Sequence, residues 1–188
     1  PFNRKIPTVV RIIRGILKTK KITVPKNFPS RPTTDFAKEG LFNMLENRFD
    51  FVDLKLLDLC AGTGNISFEW LSREAGEAVA VDSNFNVIRH IRSLTKSFEM
   101  ESFLQIVHSD VVKYLEKTTE KFDLIFADPP YEAKFHADIV RLVYERDLLN
   151  ENGLLIIEHG KRTDLSELPN FELSRGYGNV IFSLFSKE

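Results

Sequence analysis

Short apolar runs alternate with segments of helical periodicity between residues 54 and 158. The apolar runs cover residues 54–60, 78–81, 103–107, 122–127 and 154–158, and the helical segments cover 66–74, 85–98, 111–117 and 135–149. Strands that alternate with helices pair in parallel, and right-handed crossovers place the helices on the faces of the sheet. The sequence therefore predicts an α/β fold built on a mostly parallel sheet.

The segment before this alternation predicts a short hairpin and one helix. Residues 11–17 and 21–24 are expected to form two strands around a basic turn, followed by a proline-punctuated loop. A helix is expected from Thr34, with Thr33, Thr34 and Asp35 as candidate caps. Its apolar residues at helical spacing are Ala37, Leu41, Phe42, Leu45 and Phe49.

The segment after the alternation also differs from it. Residues 171–174 and 180–185 flank a glycine-containing stretch that leaves no room for a helix. This pattern predicts a β-hairpin whose last strand runs antiparallel to its neighbours. We expect two parts in the chain: a basic arm and hairpin in residues 1–32, and one α/β domain in residues 33–188.

Positive charge is concentrated at the start of the chain. The basic residues that precede the first acidic residue, Asp35, are Arg4, Lys5, Arg11, Arg14, Lys18, Lys20, Lys21, Lys26 and Arg31. The whole chain has 26 basic and 27 acidic residues, so the remainder is strongly acidic. Concentrated cations favour a polyanionic partner, because phosphate neutralisation releases counterions. A solvated tail that aids solubility is the alternative.

Composition excludes several classes of protein. The 188 residues are 43% hydrophobic, which is typical of one globular domain. No apolar stretch approaches the roughly 18 residues of a membrane span, so we expect a cytoplasmic protein with no membrane contact. The one cysteine, Cys60, has no partner for an internal disulfide, and the histidines lack metal-ligand spacing. We therefore expect no metal site.

A glycine loop joins the first strand of the alternation to the helix that follows. It consists of Asp58, Leu59, Cys60, Ala61, Gly62, Thr63, Gly64 and Asn65. The glycines allow the backbone to approach a small-molecule cofactor closely. A dinucleotide loop would have a third glycine at position 67, where this chain has Ser67. Asp58 repels phosphate and suits a cationic group such as the ammonium of an amino acid.

Acidic residues also end the next two strands. Asp82 lies about 20 residues after the loop, a position from which a carboxylate can accept hydrogen bonds from ribose hydroxyls. Asp110 ends the third strand and could reach an adenine. Each aspartate could instead only cap the following helix. Cys60 is interpreted as a small buried side chain and not as a nucleophile, because no neighbouring His or Lys would lower its pKa.

Asp128, Pro129, Pro130 and Tyr131 directly follow the fourth apolar run. Prolines have fixed φ and no N–H, so the Asp128 carboxylate and the Pro129 carbonyl become stiffly presented acceptors beside an aromatic ring. Such a corner suits a planar group with an exocyclic amine, at the sheet edge where α/β proteins bind ligands. A capped strand followed by a plain proline turn is the alternative.

Together these residues resemble an S-adenosylmethionine-dependent methyltransferase with the Rossmann-like class I fold. The resemblance is closest to the RsmD family, which methylates the exocyclic N2 of a guanine in 16S ribosomal RNA. Besides the loop and the Asp-Pro-Pro-Tyr corner, it rests on Arg-Ile-Ile-Arg-Gly at 11–15, Arg-Pro-Thr-Thr-Asp at 31–35, and Leu-Phe-Asn at 41–43. Two departures are Lys18-Thr19-Lys20-Lys21, where the family has a glycine beside an arginine, and Phe36 and Lys38, where it has arginines.

The resemblance implies a seven-stranded sheet with an antiparallel last strand and a bound S-adenosylmethionine. The implied cofactor residues are Asp58, Cys60, Ala61, Gly62, Thr63, Gly64 and Asn65 for the methionine part, Asp82 with Ser83 at the ribose, and Asp110 with Val111 at the adenine. The implied catalytic residues are Asp128, Pro129, Pro130 and Tyr131. The implied RNA-binding residues are Arg11, Arg14, Lys18, Lys20, Lys21 and Arg31.

The implied substrate is 16S rRNA in a partly assembled small ribosomal subunit, and we expect a monomer. Three other functions are compatible with parts of the sequence. A DNA adenine methyltransferase would use the same corner but needs a target-recognition insertion, for which this chain leaves no room. A non-catalytic RNA-binding module would keep only the basic hairpin. A nicotinamide-dependent oxidoreductase is disfavoured by Asp58 and Ser67.

Overall fold

The computed structural model describes residues 9–25, 28–29, 32–130 and 132–187. The site predictions for Arg31 and Tyr131 lie outside these residues. Two strands, β1 (Val9–Arg11) and β2 (Lys21–Thr23), form an antiparallel hairpin. The other strands are β3 (Lys55–Leu59), β4 (Glu77–Asp82), β5 (Leu104–His108), β6 (Phe122–Ala127), β7 (Leu149–Gly160), β8 (Phe171–Tyr177) and β9 (Val180–Ser186).

The seven strands β3 to β9 form one sheet in the order β5-β4-β3-β6-β7-β9-β8. Strands β3 to β7 pair in parallel, whereas β9 is antiparallel to both β7 and β8. The predicted α/β sheet with an antiparallel last strand is thus confirmed. The order reverses between β3 and β6, and such a switch point opens a crevice at the carboxyl ends of the strands.

Helices cover both faces of this sheet. They are α1 (Asp35–Glu46), α2 (Asn65–Ser72), α3 (Phe85–Ser97), α4 (Val111–Lys117) and α5 (His136–Glu145). Buried side chains of the hairpin, α1, α2 and α3 pack in one hydrophobic core, and those of α4 and α5 in a second core on the opposite face. In the described part of the chain, every helix is too short or too polar to span a bilayer.

Helix α1 begins where the sequence predicts. Of the three candidate caps, Thr34 is the N-cap, and its Oγ1 accepts a hydrogen bond from the Ala37 N–H at 3.2 Å. Several predicted boundaries differ from the structure; for example, the strand predicted at 154–158 spans Leu149–Gly160 as β7. Helix α5 ends at Glu145 and not at residue 149, because Asp147 adopts a positive φ of 53° and Leu149 pairs with Phe122 in the sheet.

The predicted strand at residues 11–17 is also wrong, because β1 ends at Arg11. The reason is a competing set of hydrogen bonds to helix α2. The Glu69 carboxylate accepts from the N–H groups of Ile13 at 2.8 Å and Arg14 at 3.2 Å. The Leu17 N–H then donates to Ser72 Oγ at 2.9 Å. These N–H groups are therefore used by a helix side chain and cannot continue the strand ladder.

A fully buried ion pair connects α1 to α2. The side chains of Lys38 and Glu69 both have 0% exposure, and Lys38 Nζ lies 3.1 Å from Glu69 Oε2. Lys38 Nζ also donates to the carbonyl of Arg11 and, at 2.7 Å, to Oδ1 of Asn65. Burial lowers the pKa of Lys38, and the charge of Glu69 opposes that shift. Burying two charges costs free energy, and the hydrogen bonds that these two groups make offset that cost.

Replacing Glu69 by Gln should leave Lys38 buried without a counter-charge. We expect E69Q to lower the free energy of unfolding by about 3 kcal/mol, the usual cost of breaking one side of a buried pair. The matched control is E172Q, which breaks the more exposed Arg48–Glu172 pair and should cost less than about 1 kcal/mol. Urea unfolding monitored by Trp70 fluorescence measures both. Equal losses would contradict the assigned role of the buried pair.

Candidate active site at the carboxyl ends of the strands

The glycine loop turns sharply between the end of β3 and the start of α2. Gly62 and Gly64 adopt left-handed φ values of 54° and 77°. A Cβ added at Gly64 would lie 2.8 Å from the ring of Phe68, closer than real contacts allow. Both the conformation and the packing therefore require glycine at position 64, and the loop presents bare backbone to the crevice.

A cleft lies between this loop and the Asp-Pro-Pro corner. Its lining residues are Pro32, Thr33, Asp58, Cys60, Ala61, Gly62, Thr63, Asn65, Ile66, Phe126 and Asp128. The structure thus brings Asp128 together with the predicted cofactor residues of the loop, except Gly64, which does not line the cleft. Thr63 Oγ1 is buried there with no hydrogen-bond partner among the described residues. Buried hydroxyl groups usually have a hydrogen-bond partner, and a polar ligand bound in the cleft would supply one to Thr63.

The side chain of Asn65 is already engaged within the protein. Its Nδ2 donates to the Thr33 carbonyl at 3.0 Å, and its Oδ1 accepts from Lys38. Asn65 therefore fixes the segment before α1 against the glycine loop. One Nδ2 hydrogen and one Oδ1 lone pair of Asn65 are not accounted for by these two hydrogen bonds.

Asp58 lies at the base of the cleft and is 1% exposed. Ser67 Oγ donates to its Oδ2 at 2.6 Å. Burial raises the pKa of Asp58 to about 7, and repulsion from Asp82 and Glu158 acts in the same direction. A bound ammonium would favour the ionised carboxylate, so the site is electrostatically suited to a cationic ligand.

Asp82 and Asp110 lie at the ends of β4 and β5, further along the same edge of the sheet. Asp82 accepts from the Gly62 N–H at 3.1 Å and the Asn84 N–H at 2.8 Å, so it braces the glycine loop. Asn84, not Asp82, is the N-cap of α3. Asp110 does cap α4, through the Lys113 N–H at 3.0 Å. Among the described residues, the other carboxylate oxygen of Asp110 makes no hydrogen bond.

Two further residues predicted at the cofactor accompany these aspartates. Ser83 is exposed, and its carbonyl lies 2.9 Å from Nε2 of His108 at the end of β5. Val111 is buried in the first turn of α4. Neither lines the cleft between the glycine loop and Asp128.

The corner after β6 lies directly beside the glycine loop. The Asp128 N–H donates to the Leu59 carbonyl at 3.1 Å, which ties the end of β6 to the end of β3. Pro129 is buried, whereas Pro130 is exposed and its carbonyl accepts from the Ala133 N–H at 2.8 Å. Burial raises the pKa of Asp128 well above its usual value, and repulsion from Glu158 adds to the shift.

Sequence reasoning missed two residues of this site. Glu158 is 4% exposed at the end of β7, and Thr33 Oγ1 donates to its Oε2 at 2.7 Å. Glu158 ends an apolar run, and Asp82 and Asp128 each directly follow one, so the same rule could have identified Glu158. The sequence pattern indicates Thr33 as a candidate helix cap, and no local pattern indicates its contact with a strand residue 125 positions away.

Cys60 lies beside these acidic groups and is half-buried. Burial, the largest cause, and the nearby carboxylates of Asp82 and Asp128 raise the pKa of its thiol. The thiol is therefore protonated at neutral pH. This state agrees with its interpretation as a small space-filling side chain and not a nucleophile.

The sheet order, the glycine loop and the acidic strand ends define an S-adenosylmethionine-dependent methyltransferase of the Rossmann-like class. Comparison with known proteins specifies the class further. The family described as "Conserved hypothetical protein 95" matches residues 10–186. The chain belongs to this family, as its resemblance to RsmD proteins predicted.

Two relatives and one solved structure illustrate these similarities. The chain is 32% identical over 161 residues to "Putative rRNA methyltransferase YlbH" of Bacillus subtilis, covering 84% of this chain and 86% of the relative. It is 28% identical over 182 residues to "Ribosomal RNA small subunit methyltransferase D" of Escherichia coli, covering 95% and 90%. A Thermus thermophilus structure, "16S rRNA N2 G1207 methyltransferase (RsmC) in complex with AdoMet and Guanosine", has a similar fold, with a TM-score of 0.73, 18% identity, and 97% and 50% coverage.

The raised pKa of Asp58 predicts a pH-dependent affinity for S-adenosylmethionine. If the Asp58 carboxylate receives the ammonium, affinity should fall roughly 10- to 30-fold from pH 7.5 to 5.5, as protonation removes the charge. Isothermal titration calorimetry measures this. D58N should bind weakly at both pH values, and S67A should move the transition to higher pH because a stabilising hydrogen bond is lost. A wild-type affinity independent of pH would contradict this role.

Proposed function

We propose that this protein methylates the exocyclic N2 of a guanine in the RNA of the small ribosomal subunit, using S-adenosylmethionine. The observation that carries the proposal is the hydrogen bond from the Asp128 N–H to the Leu59 carbonyl, which joins the corner after β6 to the glycine loop at the switch point between β3 and β6. In this proposal the Asp128 carboxylate and the Pro129 carbonyl serve as two acceptors for an amine beside a loop suited to the cofactor. The names of the relatives supply the RNA class of the substrate.

An exocyclic amine is a poor nucleophile because its lone pair is delocalised into the base. In this proposal the Asp128 carboxylate and the Pro129 carbonyl accept hydrogen bonds from the two N2 hydrogens. These acceptors favour tetrahedral geometry at nitrogen, which develops only as the reaction proceeds, so they stabilise the transition state more than the ground state. Pro129 lacks an N–H and its φ is fixed, so the geometry of this turn is set before the base arrives.

When bound, the cofactor supplies a methyl group on a sulfonium sulfur: the N–C bond forms, the S–C bond breaks, and sulfur keeps the electron pair. The nitrogen then loses one proton. The Asp128 carboxylate is positioned to receive that proton, and burial raises its pKa in the direction that makes it a better base. No covalent intermediate with the protein is required.

The hairpin supports binding of a polyanion. Arg11 and Arg14 form exposed ion pairs with Asp35 and Glu46 of α1. Such pairs are weak, so phosphates can compete for these arginines. Within the described part of the chain, Lys18, Lys20 and Lys21 are exposed with no carboxylate at ion-pair distance. We propose that these five residues, with Arg31, position RNA through its phosphates and not by reading its sequence.

The substrate in this proposal is a partly assembled small subunit, and the enzyme acts as a monomer. In this proposal the target base leaves its RNA stack to reach the cleft, because an enzyme cannot reach the reacting atom of a base that remains stacked in a duplex. The phosphate contacts of the hairpin would compensate the cost of that extrusion.

Replacing Asp128 tests the catalytic assignment. D128A should lower kcat by about 100-fold or more, because it removes an acceptor that acts in the transition state. D128N keeps one acceptor oxygen and should retain more activity than D128A. Both variants should bind S-adenosylmethionine with nearly wild-type affinity, which calorimetry can verify. Methyl transfer to small-subunit RNA is measured by mass spectrometry of nucleosides, and an unchanged kcat in D128A would refute the assignment.

Removing three hairpin charges tests the RNA-binding assignment. Replacing Lys18, Lys20 and Lys21 by Gln should weaken RNA binding and reduce the slope of log K against log[salt] by about 2, since each phosphate contact contributes roughly 0.7. The matched control replaces Lys96, Lys113 and Lys117, which are exposed on α3 and α4, by Gln. Electrophoretic mobility shifts at several salt concentrations measure both. Equal slopes for the two triple variants would argue against the hairpin as the RNA contact.

A further inference from the structure

Glu158 is a buried carboxylate that the proposed methyl transfer does not use. It follows Ile157 in β7, as Asp128 follows Ala127 in β6, and Ala127 and Ile157 are register partners in the parallel ladder. Side chains at equivalent positions of adjacent parallel strands point to the same face. Glu158 and Asp128 are therefore neighbours at the carboxyl edge, and this proximity agrees with the repulsion of Asp128 by Glu158.

A residue just before α1 holds the Glu158 carboxylate in position. Thr33, which lines the cleft, donates its hydroxyl hydrogen to Oε2 of Glu158, the one hydrogen bond of this carboxylate among the described residues. The Thr33 carbonyl in turn accepts from Asn65 of the glycine loop. A buried carboxylate held beside another carboxylate is unfavourable unless a donor or a cation relieves it. The arrangement therefore calls for a ligand with more than one hydrogen-bond donor.

The bases differ in the donors that they can offer to this pair. Guanine has two adjacent donors on its Watson–Crick edge, the N1–H and the N2 amine. Adenine and cytosine each place their exocyclic amine beside a ring nitrogen that accepts, and uracil has no amine. Two neighbouring carboxylates thus match guanine, whereas adenine or cytosine would put a ring lone pair against a buried negative charge.

We propose that Glu158 is a specificity-determining residue that accepts the N1–H hydrogen bond of the target guanine while Asp128 accepts from N2. This inference rests on the proposed function and extends it to the choice of base. The two donors of guanine relieve the repulsion between the carboxylates, so the base favours the ionised form of both. Thr33 acts as a positioning residue that orients the Glu158 carboxylate.

The test compares guanine with 2-aminopurine at the target position. 2-Aminopurine keeps the N2 amine but has a lone pair at N1. Mass spectrometry first locates the guanine that the wild-type enzyme methylates. Splinted ligation then places either base at that position of the ribosomal RNA, and the RNA is assembled into small-subunit particles. Wild-type enzyme should methylate guanine about 100-fold faster than 2-aminopurine, because a buried charge facing a lone pair is strongly disfavoured.

E158Q should reverse much of this preference, because the Gln amide can donate to the N1 lone pair. We expect slower transfer to guanine and equal or faster transfer to 2-aminopurine, so the ratio should fall at least tenfold. In a readout independent of transfer, 2-aminopurine fluorescence should report tighter binding of the substituted RNA to E158Q than to the wild type. Gln is isosteric and removes a buried charge, so the variant should fold, and its unfolding midpoint checks this.

A second variant tests the same contact without changing the carboxylate. T33V removes the hydroxyl that orients Glu158 and should lower the guanine to 2-aminopurine ratio several-fold, and T33S should restore it. If wild-type enzyme yields no N2-methylguanine, the proposed function fails and this inference with it. If wild-type enzyme methylates guanine but E158Q and T33V keep the wild-type ratio, only the role of Glu158 is overturned.

Discussion

The buried contact between Lys38 and Glu69 is the interaction on which the rest of the site depends. It joins the segment after β1, helix α1 and helix α2, which are distant in sequence. Each charge is costly to bury, and the cost is offset only because each has several polar partners. Those partners include Asn65 at the start of α2, whose amide orients Thr33. The same network that docks the hairpin therefore also places the segment that closes one side of the cleft.

Electrostatics divides the molecule into two regions with different tasks. The sheet edge gathers Asp58, Asp128 and Glu158 in one row, and burial raises the pKa of each. Repulsion from neighbouring carboxylates adds to the shifts of Asp58 and Asp128. Such a row attracts cations and hydrogen-bond donors but repels an RNA backbone. In the proposed function, attraction of RNA would come from the exposed lysines of the hairpin. On this proposal the hairpin would hold the phosphates, while an uncharged base would enter the acidic cleft.

Much of the fold and part of the candidate site could be predicted, because they follow from periodicity. The bounds of α4 and β6 agree with their patterns, and Asp58 and Asp128 meet because parallel strands bring their carboxyl ends to one edge. The contacts of Thr33, Lys38 and Glu69 could not be predicted in this way. They join polar side chains across long sequence separations, and no repeat or motif encodes which partner each side chain will find. The error at β1 has the same origin, since Glu69 takes the N–H groups that a longer strand would need.

Lys38 also gives a physical reason for one departure from the RsmD pattern, which has an arginine at this position. An ammonium has three donors, and here each has a partner: the Arg11 carbonyl, the Asn65 amide oxygen and the Glu69 carboxylate. A guanidinium has five donors in a planar fork, so at least two would need further acceptors in a fully buried site. Arg73 already supplies a guanidinium to Glu69, at 2.9 Å. Because Arg73 of the α2 C-terminus already pairs with Glu69, the smaller ammonium of Lys38 is sufficient for the remaining acceptors. The segment before α1 can then lie close to the glycine loop.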